Sequence, residues 1–254
     1  MKALASYNIK GGVGKTTCIV NLAYLAAREG YRTLLWDLDP QGAASFYFRV
    51  QPRIEGGLKG ILARTRPLQA AIKATDFPRL DLIPADPSLR YLDTKLIKHA
   101  KPVKQFRKLI KPFTGLYDLV LLDCAPGISL AAENIFLAVD TLLVPVIPTT
   151  LSVRTLRQLE KYLKQAEFEG PAILPFISML DHRKRLHRET IQTLFNEDGR
   201  FLRTIIPSAS QIELMGVRRA PLGSYGIDST AVKSFENLWG EVRDALGLGT
   251  PGAT

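Results

Sequence analysis

The chain has 254 residues, of which 46% are hydrophobic and 23% charged, so it can bury a large core within one domain. Its 34 Lys and Arg against 24 Asp and Glu give a formal net charge of +10, which favours polyanionic partners, with solubility alone as the alternative. No stretch approaches the roughly 20 unbroken apolar residues of a membrane span, and the first residues leave no room for a secretory signal, so we expect a cytoplasmic protein.

Apolar runs of strand length alternate with amphipathic segments along the chain. The candidate strands cover residues 3–7, 33–38, 80–83, 118–124, 141–147, 172–178 and 202–206. Most of these runs are continuously apolar, which is typical of strands buried on both faces of a parallel sheet. The sequence therefore predicts a doubly wound α/β fold, with a mostly parallel sheet flanked by helices.

Two helices are predicted with particular clarity. The first covers 16–29 and ends at Gly30, and the last covers about 230–246, where Phe235, Leu238 and Trp239 lie on one face. We expect that face to pack on the core and not to anchor a membrane. The prediction is one domain over 1–247 followed by a disordered tail over 248–254. Cys18 and Cys124 lie in apolar segments without metal-ligand spacing, and we expect both to be buried.

The sharpest motif is a glycine-rich loop between the first strand and the first helix. The ordinary phosphate-loop pattern requires a glycine where this chain has Ile9. Three glycines, a lysine and a hydroxyl nevertheless follow, and they suit a backbone cradle for phosphates at the start of a helix. The residues of this loop are Lys10, Gly11, Gly12, Val13, Gly14, Lys15, Thr16 and Thr17.

Acidic residues stand at two further strand ends. Asp123 closes an apolar strand, and Asp37 and Asp39 lie near the end of another, before a Pro-Gln-Gly turn. Because ligands of doubly wound sheets bind beyond the carboxyl ends of the strands, these motifs predict a composite site. Asp123 can hold the water of a Mg²⁺ ion, while Thr16 offers a direct oxygen ligand. A helix cap is the alternative for Asp123, and an ordinary turn residue is the alternative for Asp39.

Four motifs in order resemble the ParA/MinD family of P-loop ATPases, whose Walker A motif is deviant. They are the loop at 10–17, LWDLDPQG at 35–42, YDLVLLDCAP at 117–126, and PVIPT at 145–149 with IIP at 205–207 and AP at 220–221. The resemblance runs nearly end to end, in a short form without an N-terminal DNA-reading domain. Such short members also include positioning proteins for protein cargo, of the carboxysome-positioning McdA type.

The resemblance implies an ATPase, weak by itself and stimulated by a partner, that uses ATP and Mg²⁺. Loop residues 10–17 would bind the phosphates, with Lys10, Lys15 and Asp39 in catalytic roles. Thr16, Asp37 and Asp123 would serve the metal. Adenine would pack near Met179, Pro207 and Ser208, although the family usually has Arg-Asn after that proline and this chain has Ser-Ala.

Lys10 has no clear task within one subunit, because Lys15 already serves the β- and γ-phosphates. In the family this extra lysine reaches the phosphates of a second copy, so that ATP is sandwiched in a homodimer. A ParB-like protein or cargo adaptor would then stimulate hydrolysis. The cargo could be a plasmid, a chromosome or a protein assembly.

Three clusters of basic residues favour DNA as a further partner. Residues 95–111 contain seven cations and no acid, and the other clusters are Arg183, Lys184, Arg185 and Arg188, and Arg218 with Arg219. By resemblance the second and third clusters are the predicted nonspecific DNA contacts, which implies association with the nucleoid. Solvated helix faces are the alternative for each cluster.

Three other functions stay open on the sequence. They are a MinD-like regulator that binds membrane, an electron-transfer ATPase with an iron–sulfur cluster, and a metabolic ligase of the same fold. The glycine-rich tail disfavours a membrane anchor, and the two cysteines do not match a cluster site.

Overall fold

A computed structural model describes residues 1–63, 65–99, 101–166, 169–225 and 228–251. Within them, eight strands form a single sheet. The strands are β1 (Lys2–Ser6), β2 (Thr33–Asp37), β3 (Lys73–Ala74), β4 (Leu80–Ile83), β5 (Leu119–Asp123), β6 (Thr141–Val146), β7 (Ala172–Leu180) and β8 (Ile205–Pro207).

The order of the strands across the sheet is β3-β4-β2-β5-β1-β6-β7-β8. Every neighbouring pair is parallel except β3 with β4, which is antiparallel. The chain starts in the middle of the sheet and winds outward in both directions, so the carboxyl ends of β1, β2 and β5 lie side by side. Ser6, Asp37 and Asp123 are the last residues of these strands and stand in register with one another.

Helices cover both faces of the sheet. They are α1 (Lys15–Glu29), α2 (Ala43–Tyr47), α3 (Gly57–Leu62), α4 (Leu92–Leu96), α5 (Gln105–Ile110), α6 (Leu130–Phe136), α7 (Thr150–Gln165), α8 (Arg185–Glu197), α9 (Ser210–Arg218) and α10 (Thr230–Leu246). Short 3₁₀ turns cover Leu68–Ala71, Pro87–Tyr91, Pro102–Lys104, Lys111–Phe113 and Leu222–Tyr225.

The sheet separates two hydrophobic cores. On one face, α3 to α8 pack over the strands, with Trp36 stacked on Phe106 at a centroid distance of 5.2 Å. On the other face, α1, α9 and α10 pack over the sheet, and α10 buries the predicted stripe that includes Phe235, Leu238 and Trp239. Because strands in the middle are covered on both sides, they carry apolar residues continuously, which explains the unbroken runs in the sequence.

The doubly wound, mostly parallel fold predicted from the sequence is confirmed. Each predicted strand is present, and the strand over 80–83 has the predicted ends. The ends of the others are shifted; β7 continues to Leu180, and the predicted strand over 202–206 begins only at Ile205. The antiparallel β3 was not predicted, because it has only two residues and both are exposed. Cys18 and Cys124 are buried free thiols, as expected.

The tail begins at the left-handed Gly247, which ends α10. Leu248 packs against the core, and the Tyr31 hydroxyl donates a hydrogen bond to the Gly249 carbonyl at 2.7 Å. The first residues of the segment predicted to be disordered therefore have definite contacts, while residues 252–254 lie outside the described residues. Among the described helices, none combines the length and the apolar character needed to cross a bilayer.

Candidate functional site

The glycine loop connects the end of β1 to the start of α1. Gly12 and Gly14 have φ angles of 68° and 92°, in the left-handed region that favours glycine. A Cβ atom on Gly14 would lie 2.9 Å from Ser178 Oγ, which itself donates a hydrogen bond to the Val13 carbonyl. The loop is therefore held against β7 and leads directly into the N-terminus of α1, which is where an anion site is expected.

The two lysines of the loop differ in their surroundings. Lys15 is only 7% exposed, and its Nζ donates to the Lys10 carbonyl at 3.2 Å. Burial lowers the pKa of Lys15, and the charge of Asp123 opposes that shift. Lys10 is exposed, and its ammonium group has no hydrogen bond or ion pair with any residue that the structure describes. Lys15 is thus buried within the loop, where the charge of Asp123 acts on it, whereas Lys10 is exposed at the surface.

The loop is also fixed from β6. The Asn8 amide donates to the Pro145 carbonyl at 2.9 Å, and its Oδ1 accepts the Lys10 backbone N–H at 2.9 Å. Asn8 is buried, so these bonds are shielded from water. The backbone of Lys10 is therefore positioned rigidly although its side chain is free.

Two buried carboxylates, Asp37 and Asp123, are neighbours at the ends of β2 and β5. Asp37 accepts hydrogen bonds from Ser45 N at 2.8 Å, Ser45 Oγ at 2.7 Å and Asp39 N at 3.2 Å. In contrast, neither oxygen of Asp123 has a hydrogen-bond partner within the described part of the chain. Burial first, and then the charge of Asp37, raises the pKa of Asp123 well above its usual range. A buried carboxylate without donors is costly unless a cation or water completes it.

The surroundings of Asp123 fit Mg²⁺. The orphaned carboxylate lies at the same sheet edge as Thr16, which is half-buried in the first turn of α1. No group of three or more His, Cys, Asp or Glu side chains within the described ranges could hold a metal alone. Mg²⁺ commonly takes one or two protein ligands and completes its shell with phosphate and water, so a small set of donors is sufficient.

Asp39 is half-buried at the turn after β2. Its Oδ1 accepts the Gln41 backbone N–H at 2.9 Å, which is the turn-forming contact offered by the sequence as an alternative. Its charge nevertheless acts on both Lys15 and Asp123. Asp39 therefore forms the turn and belongs to the same electrostatic cluster as the loop lysine and the buried carboxylate.

A cavity of about 300 Å³ opens beside the loop, between the ends of β7 and β8. Gly12 and Gly14 line it together with Met179, Pro207 and Ser208, which the sequence placed around adenine. Apolar side chains, including Phe176 and Ile206, form much of the remaining wall. Such a wall is suited to a flat ring whose attached phosphates extend toward the glycine loop.

Several residues at this site were not predicted from the sequence. Ser6 Oγ donates to the Lys15 carbonyl, Ser178 holds Val13, Ser45 holds Asp37, and Tyr47 lines the cavity. The sequence indicated these residues only weakly, through the position of two of them. Ser6 and Ser178 are polar residues near the carboxyl ends of apolar strands, which is where this class of sheet places its ligands.

The predicted DNA contacts lie just before and within the first turn of α8, and at the end of α9. Arg183 pairs with Asp181 at 3.0 Å and Arg185 with Glu189 at 2.6 Å, while Arg188 donates to the His182 carbonyl. Arg219 lies over the Phe46 ring at 4.6 Å. Much of the charge in these clusters therefore already has a partner.

The sheet has a glycine loop before its first helix, the loop contains a buried lysine, and carboxylates lie on the adjacent strand ends. These features define a P-loop nucleotide-binding protein. The sequence model of a family described as an AAA domain matches residues 1–171. The chain belongs to that family and, with the relatives described next, to its ParA/MinD group of ATPases.

The chain is similar to curated partitioning proteins. It is 36% identical over 139 residues to the chromosome partitioning protein ParA of Myxococcus xanthus, covering 54% of this chain and 49% of that protein, which is about half its length. It is 29% identical over 252 residues to the sporulation initiation inhibitor protein Soj of Bacillus subtilis, covering 95% of this chain and 98% of Soj.

Among solved structures, a variant of Cyanothece McdA in complex with ATP superposes with a TM-score of 0.82. The alignment covers 98% of this chain and 97% of that one, at 21% identity. This likeness concerns the fold, and it extends across the whole sheet.

Proposed function

We propose that this chain is a partitioning or positioning ATPase that alternates between a monomer and an ATP-sandwich dimer. The dimer would bind DNA without sequence preference, and hydrolysis stimulated by a partner would release it. The partner would be a ParB-like protein or an adaptor on the cargo, so that a plasmid, a chromosome or a protein assembly is segregated or spaced.

The observation that carries this proposal is the contrast between the two loop lysines. Lys15 is buried and its Nζ donates to the Lys10 carbonyl, while the ammonium group of Lys10 is exposed and has no partner among the described residues. Asn8 fixes the Lys10 backbone, so the exposed side chain starts from a defined position. A cation held in this way at the rim of a phosphate site suits the phosphates of a second subunit, where it would offset repulsion between two nucleotides.

ATP and Mg²⁺ are the cofactors of this site. The N–H groups of residues 10–17 would cradle the phosphates, and Lys15 would neutralise them, which also restores the charge that burial disfavours. Thr16 and Asp123 would hold the metal, with Asp37 supporting its shell. When bound there, Mg²⁺ would supply charge neutralisation on the phosphates while the γ-phosphoryl group is transferred to water and ADP leaves.

Asp39 is the residue proposed to orient the attacking water. It lies in the turn after β2, and Gln41 holds one of its oxygens at 2.9 Å. The other oxygen has no hydrogen-bond donor within the described ranges, so it can accept a hydrogen bond from water. Slow hydrolysis without a partner follows if that turn reaches its active geometry only in the stimulated dimer.

DNA is favoured over a membrane as the surface that the dimer binds. The apolar face of α10, the final helix, is buried against α1 and the sheet through Phe235, Leu238 and Trp239. A MinD-like anchor needs such a face to be available to lipid. The net charge of +10 is suited to phosphate contacts that do not depend on sequence.

The test is retention of duplex DNA by the protein with ATP, with ADP and without nucleotide. We expect retention with ATP only, its loss in Lys10→Ala, and prolonged retention in Asp39→Ala because hydrolysis is blocked. Retention that is equal in all three nucleotide states, or unaffected by Lys10→Ala, would contradict the switch.

A further inference from the structure

Six exposed cations lie on the segment formed by α4, the turn after it, and α5. They are Lys98, Lys101, Lys104, Arg107, Lys108 and Lys111, here called the cationic ridge. None of the six forms an ion pair with any residue that the structure describes. The ridge is therefore a concentration of uncompensated charge.

Four acidic residues on neighbouring segments have contacts other than with the ridge. Asp118 pairs with Arg32 at 2.6 Å, Glu133 accepts the Tyr162 hydroxyl, and Asp93 accepts the Ala131 backbone N–H at 2.7 Å. Asp86 accepts backbone and hydroxyl hydrogen bonds of its own. A hydrogen bond from a neutral donor does not cancel the charge of a carboxylate, so of these four acids Asp118 alone is compensated by a cation among the described residues. Asp140 and Glu169 line the same cavity as Lys104 and Arg107, but neither forms an ion pair with a ridge cation. The ridge therefore keeps an excess of positive charge, which these neighbouring acids reduce but do not pair with.

Four of the ridge cations share one face of the helical stretch that α5 forms with the 3₁₀ turns on either side of it. Residues 104, 107, 108 and 111 follow the spacing i, i+3, i+4, i+7, and all four are exposed, while Phe106 and Ile110 on the opposite side are buried. This face extends about 10 Å along the axis, a length over which duplex DNA presents roughly six phosphate charges. Its dimensions therefore match several adjacent phosphates.

The ridge is anchored rigidly to the nucleotide site. The buried Asn134 of α6 accepts the Gln105 backbone N–H at 2.9 Å and donates to the Pro102 carbonyl at 2.8 Å. Phe106 stacks on Trp36, which directly precedes Asp37. The cations are thus presented on a fixed backbone that is joined to the β2 end of the site, which limits the entropy lost when they bind a ligand.

The apolar side of the same segment has no capacity to enter a bilayer. Leu92 and Leu96 of α4 and Phe106 and Ile110 of α5 are all buried in the core. Ile97 is exposed, but as a single side chain. Membrane binding by an amphipathic helix requires a continuous apolar face toward the lipid, so a hydrophilic polyanion is the better match.

From these observations we infer that the cationic ridge is the main contact for the phosphates of duplex DNA, ahead of the clusters at 183–188 and 218–219. The inference rests on the proposed function, since it assigns a surface to the DNA-binding step. Lysines without partners can bind phosphate and release its counterions, and no existing ion pair has to be broken first. Arg183 and Arg185 would first have to leave Asp181 and Glu189.

The test compares two triple variants of equal charge. Lys104→Ala/Lys108→Ala/Lys111→Ala removes three ridge cations, and Arg183→Ala/Arg185→Ala/Arg188→Ala removes three from α8, so each lowers the net charge from +10 to +7. Binding of random-sequence duplex DNA is measured by fluorescence anisotropy with a non-hydrolysable ATP analogue, across a range of salt concentrations. A third variant, Lys104→Arg/Lys108→Arg/Lys111→Arg, keeps the ridge charge.

The ridge alanine variant should bind DNA roughly tenfold or more weakly, and the slope of log K against log salt should become shallower by about 3 × 0.9, or 2.7. The α8 variant should change that slope by less than about 1, and the arginine variant should bind as the wild type does. Equal losses in both alanine variants, or a larger loss in the α8 variant, would overturn the assignment of the ridge.

Two further outcomes separate this inference from the proposed function. If the wild type binds no DNA with the analogue, the DNA-binding step fails together with the ridge. If the wild type binds DNA and the ridge alanine variant binds it equally well, the ridge alone fails. Binding of phosphatidylserine vesicles that is lost in the ridge variant, with DNA binding unchanged, would assign the ridge to membrane and overturn the inference. Thermal unfolding of each variant checks that the fold is intact.

Discussion

Ser45 is the residue whose removal tests the organisation of the site most sharply. It is fully buried, its Oγ donates to Asp37 Oδ2 at 2.7 Å, and the same oxygen accepts the Ala85 backbone N–H at 2.9 Å. Ser45→Ala therefore removes one hydrogen bond to a charged group and leaves one buried N–H without an acceptor. The first loss costs about 1.5–3 kcal/mol and the second about 1–3 kcal/mol.

Ser152→Ala is the matched control. Ser152 is also fully buried, and its Oγ accepts the Ile147 backbone N–H at 3.1 Å, but it touches no charged group. Both substitutions delete one hydroxyl and orphan one backbone N–H. The difference between them isolates the bond to Asp37, and we expect Ser45→Ala to lose about 1.5–3 kcal/mol more of the free energy of unfolding.

Urea unfolding followed by circular dichroism measures both variants at pH near 7.5 and again near pH 5. Burial raises the pKa of Asp37 to about 6, so the carboxylate is largely ionised at the higher pH and largely protonated at the lower. The difference between the two variants should therefore narrow as the pH falls. An equal loss of stability in both variants at the higher pH, or a difference that does not change with pH, would refute the role given to Ser45.

Other positions of the site give further predictions. Gly14→Ala forces a side chain into the left-handed region and within 2.9 Å of Ser178 Oγ, so it should lower the free energy of unfolding by about 1–3 kcal/mol and abolish binding of ATP in calorimetry. The control is Gly240→Ala inside α10, whose new Cβ atom meets nothing within 4 Å and which should be neutral or stabilising. Equal behaviour of the two variants would contradict the role given to the loop. Asp123→Asn replaces a buried carboxyl group whose pKa is raised by burial and by the charge of Asp37. The nucleotide-free protein should therefore become more stable at neutral pH, while Mg²⁺-dependent hydrolysis is lost. Because a raised carboxylate pKa favours the folded state only when the group is protonated, that gain over the wild type should shrink as the pH falls toward the usual carboxyl range; a gain that grows instead would show that the charge of Asp123 is stabilised in the fold.

The fold was predictable because its signals are local. Continuous apolar runs followed from strands covered on both faces, and the helix that follows the glycine loop is delimited by Gly14 and Gly30, both in the left-handed conformation. The position of the site at the ends of β1, β2 and β5 followed from the same topology. The glycine loop and its two lysines were visible directly in the sequence.

The distinct environments of the two carboxylates were not predictable. Asp37 and Asp123 end similar apolar strands, yet one accepts three hydrogen bonds and the other accepts none from the described residues. That difference depends on Ser45, which reaches Asp37 from the following helix. Ser178 likewise contacts Val13, and Tyr47 lines the cavity beside Gly12 and Gly14, from distant segments that one sequence does not bring together.

The pairing of surface charges was predictable from the sequence in part only. The partners of Arg183 and Arg185 are acids two and four residues away, so their pairing could have been read from spacing along the chain. The engagement of Asp118 and Glu133 away from the cationic ridge could not, because Arg32 and Tyr162 are remote in sequence. Seven cations without an acid in residues 95–111 were evident, but their isolation was a property of the fold.

The most direct test of the proposed switch is the mass of the protein in solution, measured by multi-angle light scattering with and without ATP. The wild type should have a mass of 28.2 kDa without nucleotide and twice that with ATP. Lys10→Ala should remain at the monomer mass while still binding ATP in calorimetry, because Lys15 and the rest of the pocket are intact. A Lys10→Ala protein that dimerises with ATP as the wild type does would contradict the central claim that this lysine completes a site in the second subunit.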